Sequence, residues 1–147
     1  ESKEYFNRFI KLINNKKSAV ILYGTWTYPA KPLIGKSFKG IDPIQYALNP
    51  IADENKLRMA PVGTAFRLFQ ERHPEISAFT SDNKHPSAVG TYLAACVFFK
   101  MLTGESPLGL ERRYERKDEY GKKVFLGMVE KSAGLKCQAI VDGMDMQ

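Results

Sequence analysis

The sequence predicts an α/β layered fold, and three observations point to it. An amphipathic helix over 2–15 runs almost directly into a short, fully apolar strand over 18–23. A second helix and strand repeat that order over 43–55 and 57–62. A long apolar helix over 86–102 follows. A helix that leads at once into a strand buried on both faces is half of a βαβ unit, which places helices on the faces of a parallel sheet.

Each element has a local reason. In the first helix Phe6, Phe9, Ile10 and Ile13 recur at helical spacing, and Asn14-Asn15-Lys16-Lys17 breaks the pattern. The strand Ser-Ala-Val-Ile-Leu-Tyr ends at Gly24, and 24–42 reads as a long loop with Pro29, Pro32, Gly35 and Gly40. Asp42 is placed to cap the second helix with Pro43 at its first position, while Pro50 predicts a kink or an early stop. Pro61 ends the second strand, and Thr64 is a candidate cap for a helix to Arg72 that buries Ala65, Leu68 and Phe69. Residues 74–84 are irregular. The helix from Pro86 ends at Gly104, with Pro107 beyond it. Around Tyr120-Gly121 the charged stretch 111–123 reads as a hairpin or an exposed excursion, and a last helix spans 129–141 despite Gly134. Two short parallel strands do not make a stable sheet. Either further strands lie elsewhere or the tail supplies them.

A chain of 147 residues with 44% apolar and 26% charged residues suits one domain with a real core. The net charge of +6 is spread as scattered lysines, such as Lys16, Lys17, Lys31, Lys36 and Lys39. Residues 1–60 carry ten Lys/Arg against five Asp/Glu, but no element concentrates them among aromatics, so no nucleic-acid partner is expected. No apolar run is long enough for a membrane span. The opening Glu-Ser-Lys-Glu-Tyr-Phe lacks a signal-peptide pattern, so none is expected in this segment and the compartment stays open. Cys96 and Cys137 form no C-x-x-C pair and supply no zinc ligand set; a disulfide between them stays open.

Asp82 and His85 are the residues that carry chemistry. They stand three positions apart just before the long helix, and Pro86 at its first position makes His85 the N-cap or its neighbour. A carboxylate so placed accepts Nδ1–H, fixes the tautomer and leaves Nε2 as a general base. Mutually oriented Asp and His are two-thirds of a nucleophilic triad. The serines at hand fit the third role poorly. Ser87 reads as a capping residue, Ser81 as part of the turn and Ser106 as a loop residue, and none lies in a Gly-x-Ser-x-Gly elbow. His73 reads as a helix-end residue. Trp26, on the loop after the first strand, is a candidate substrate wall as well as a candidate core residue.

From Asp82 to Ala95 the chain reads Asp-x-x-His-Pro-Ser-x-x-Gly-x-Tyr-Leu-Ala-Ala, which closely resembles the final block of SGNH (GDSL-type) ester hydrolases. Tyr23-Gly24-Thr25-Trp26, the stretch Met59-Ala60-Pro61-Val62-Gly63-Thr64-Ala65-Phe66, and the helix end and turn over 98–110 are similar to one branch of that family. The resemblance spans about residues 5 to 110 and is most specific from Leu57 to Leu110. It implies a flavodoxin-like α/β/α three-layer fold of which 1–110 is the C-terminal part, with 111–147 a charged excursion and terminal helix of the same domain. Asp82 and His85 match the family's acid and base. Its Gly-Asp-Ser nucleophile block and its Gly-x-Asn-Asp oxyanion block have no counterpart here. The function implied is serine ester hydrolysis, on small-molecule or carbohydrate esters, with the Ser supplied by a missing N-terminal half on the same or another chain. Trp26 would bind substrate, and no metal or organic cofactor is implied. The alternative is a non-catalytic interaction domain that keeps the fold.

Overall fold

The computed structural model describes residues 2–14, 17–29 and 40–146. Residues 30–39 of the expected loop, with Lys31, Lys36 and Lys39, lie outside the described residues, as do Asn15 and Lys16. The chain is α/β. The elements are α1 (Ser2–Asn14), β1 (Ile21–Tyr23), α2 (Pro43–Asn55), β2 (Arg58–Ala60), α3 (Val62–Arg72), α4 (Ala88–Thr103), β3 (Arg113–Lys117), β4 (Lys123–Met128) and α5 (Lys131–Asp142). β1 and β2 pair in parallel, Leu22 opposite Met59, and β3 and β4 form an antiparallel hairpin with a bulge between Tyr114 and Glu115. The tail thus adds no strand to the parallel pair.

The main core joins α3, α4 and α5. Phe66, Phe69, Leu93, Val97, Cys137 and Val141 are buried in one cluster, so the C-terminal helix shares the core of the residues before it. A smaller cluster of Leu22, Ile51, Ala52 and Met59 lies between the strands and α2, with Phe6 and Leu48 packed against it. Cys96 and Cys137 are both buried and free, which closes the disulfide alternative. No helix among the described residues is long and apolar enough to cross a membrane.

Several local expectations need correcting. α1 buries Ile10 but leaves Phe9 63% exposed, because Tyr5, Phe9 and Leu12 form a second apolar stripe facing outward. β1 is shorter than 18–23 and is not buried on both faces, since Tyr23 is 45% exposed at its end. Pro50 does not stop α2: it sits on the exposed side and the helix runs on to a left-handed cap at Lys56. Asp42 and Pro43 do open α2 as their types require, the carboxylate accepting from Ile44 N at 2.8 Å. Thr64 caps nothing. α3 begins two residues earlier, and the Thr64 hydroxyl accepts from Asp42 N and donates to Gln45 Oε1.

Candidate functional site

The Asp82–His85 turn is built by one carboxylate. Asp82 Oδ1 accepts from Thr80 Oγ1 at 2.7 Å and from the N–H groups of Lys84 and His85 at 2.9 and 3.0 Å. Asn83 between them has φ +54°, the left-handed conformation that Asn tolerates better than most residues, and it reverses the chain so that both N–H groups converge. The other oxygen, Oδ2, lies 2.6 Å from His85 Nδ1. These hydrogen bonds, led by that of the His85 ring, hold the Asp82 carboxyl well below the usual carboxylate range. Nδ1 is therefore held by a carboxylate, and Nε2 is the nitrogen left for a substrate. The His85 side chain is 78% exposed.

His85 is not the N-cap of α4. Its carbonyl accepts from Thr80 N at 2.9 Å, and Pro86 bridges Phe79, which keeps this segment extended. Ser87 caps the helix by accepting from Gly90 N, and it donates to Ser77 O at 3.0 Å. Gly90 lets that hairpin-like segment lie on the helix, because a Cβ there would run into Ala78 O and the Phe66 ring. Ser106 is engaged as well, donating to Asp142 Oδ1 at 2.6 Å.

Trp26 reaches the turn from the segment after β1. Its indole N–H donates to Lys84 O at 3.0 Å, while its ring stacks on Phe66 at 4.6 Å and meets Tyr23 and Phe79 edge-on. The same residue thus packs on the core, holds the Asp82–His85 turn and faces a groove. The preceding loop is pinned by buried Asp42, whose carboxylate accepts from Thr27 N at 2.9 Å and Thr27 Oγ1 at 3.1 Å. Spacing singled out Asp82 and His85, and the loop after the first strand singled out Trp26; the structure joins Asp82 to His85 and ties Trp26 to Lys84 between them. The sequence reading missed Thr80 and Thr27. A Thr two residues before an Asp is the available sign for the first, since such hydroxyls stabilise Asx turns; nothing local signals the second.

A groove of about 730 Å³ opens at His85 and Lys84 and runs between Trp26–Tyr28 and α2. A second cavity of about 420 Å³ shares Trp26, Thr27 and Tyr28 with the groove but is not lined by His85. Among the described residues no three His, Cys, Asp or Glu side chains cluster to hold a metal ion.

No family model matches the chain, and no curated protein or solved structure matches it either.

Proposed function

We propose that these residues are the acid–base part of a serine ester hydrolase of the SGNH type, with the nucleophile supplied by a segment outside this chain. The single observation that carries the reading is the 2.6 Å contact of Asp82 Oδ2 with His85 Nδ1 at the mouth of a groove. In the reaction His85 Nε2 takes the proton of the attacking serine and returns it to the leaving alcohol. Asp82 holds the ring and offsets the charge that the ring gains. Oxyanion donors come with the nucleophile. The parallel β1–β2 pair, with helices before and after each strand, is consistent with a place at one side of a flavodoxin-like three-layer sheet.

The test is hydrolysis of p-nitrophenyl acetate by the chain together with the segment that supplies the serine. His85→Ala lowers kcat/KM by about 10³-fold or more; unchanged turnover refutes the reading. A second reading is a non-catalytic interaction domain, favoured by Ser87 and Ser106 being tied to other partners. It requires that a fluorophosphonate label no serine in the complete assembly.

A further inference from the structure

The groove that opens at His85 has a chemistry of its own. Four residues of α2, Ile44, Ala47, Leu48 and Ile51, line it. They stand at i, i+3, i+4 and i+7 and form one face of the helix over about 10 Å. Phe6 of α1 also lines it and, like Leu48, packs against the smaller core cluster to which Ile51 belongs. The bond between Asp42 and Thr27 fixes the start of α2 beside Trp26, and Trp26 holds Lys84. The groove therefore leads from His85 past Trp26 and along α2 towards Phe6.

Its two ends differ in polarity. Lys84 and His85 stand at the mouth, no Asp or Glu among the described residues lines the groove, and the rest of its described lining is mostly apolar. A sugar ring needs several hydrogen-bonding side chains around it, and among the described residues the wall offers only Thr25, Thr27 and Tyr28. An aliphatic chain needs none, and it gains free energy with each methylene removed from water. Cationic Lys84 suits the polar head of such a chain, either the ester carbonyl or the carboxylate left after hydrolysis.

We propose that this groove is the acyl site, and that it selects esters of medium-length fatty acids over acetylated sugars. The inference rests on the ester-hydrolase reading of His85. The acyl carbonyl lies at the mouth within reach of Nε2, and the chain extends along Ile44, Ala47 and Ile51. A face of about 10 Å accommodates an octanoyl chain, whose carbon–carbon bonds are each about 1.5 Å.

Trp26 is the single tryptophan and lines the groove, so its fluorescence reads occupancy without any turnover. The experiment titrates the chain with acetate, butyrate, hexanoate and octanoate, and separately with acetylated glucosamine. Affinity is expected to rise about fourfold per added methylene up to octanoate, with no saturable response to the sugar. Ala47→Glu places a carboxylate on the groove wall at an exposed, helix-compatible position and is expected to abolish octanoate binding while circular dichroism stays unchanged. A flat series, or a saturable response to the sugar alone, overturns the proposal. So does a Trp26 signal that varies with protein concentration without ligand, since a second copy would then fill the groove. A rising series together with hydrolysis insensitive to His85→Ala removes the esterase reading and leaves a fatty-acid site. A flat series with His85-dependent hydrolysis does the reverse.

Discussion

Two pairs of reactive side chains meet α4, and they sit in opposite surroundings. Asp82 and His85 precede the helix on a turn whose residues 80–85 are all exposed, held by hydrogen bonds and one indole contact. Cys96 lies in the middle of α4, and Cys137 on α5 donates to Val89 O of the same helix; both are fully buried. The first pair has access, mutual orientation and little packing. The second has packing and no access. Reactivity follows the surroundings, not the residue type: the intrinsically better nucleophile is the inert one here.

The comparison breaks first at Asp82. Asp82→Asn keeps an oxygen for the N–H groups of Lys84 and His85, so the turn persists and the melting temperature changes little. The amide can present its NH₂ to Nδ1, which leaves the proton on Nε2 and removes the base. A fall in kcat of about 10⁴-fold is expected, measured on the same ester assay. A loss of fold as large as the loss of activity would show that the carboxylate only builds the turn.

A smaller effect is expected at Trp26. Trp26→Phe keeps an aromatic ring against Phe66 but removes the N–H that holds Lys84 O. One lost hydrogen bond costs about 1 kcal/mol, read by urea denaturation. The telling measurement is NMR of the His85 ring, whose signals should broaden and move towards their denatured positions. The looser base should lower kcat by about tenfold. Unmoved ring signals would mean that the turn stands on Asp82 alone.

What the sequence made legible, and what it hid, divides along the same line. Asp82 and His85 could be read because the interaction spans three residues, and Asp42 with Pro43 because a cap is local. The Trp26–Lys84 bond joins residues 58 apart and leaves no spacing to detect. The start of α4 was misplaced for a related reason. Pro86 is an ordinary first helical residue until the distant Phe79 bridges it and holds it extended, which passes the cap to Ser87. Thr64 looked like a cap, but its hydroxyl is taken by Asp42 N and Gln45 across the fold. Tyr23 ends an apolar run that reads as buried, and it is half exposed at the end of β1, where among the described residues β2 alone pairs with the strand.

The smallest effect expected separates the two pairs by pH and access. Burial pushes both thiols up to about 12, so neither supplies thiolate at neutral pH. Iodoacetamide at pH 7.5 should label neither cysteine in the folded chain and both in urea, read as mass shifts. The same shift sets a direction for stability. Between the ordinary thiol value of about 8.5 and about 12, the unfolded chain has released protons that the folded chain retains, so stability falls as pH rises through that window. Asp82 acts at the other end. Its carboxyl is held below the ordinary range, so its contribution is present above about pH 4 and is lost as pH falls towards its lowered value. Acid should therefore loosen the turn, seen in the His85 ring, while alkali loosens the α4–α5 core, seen as cysteine labelling. Labelling of Cys96 in the native chain at neutral pH would place that thiol within reach of solvent, and the contrast between the two pairs would fail.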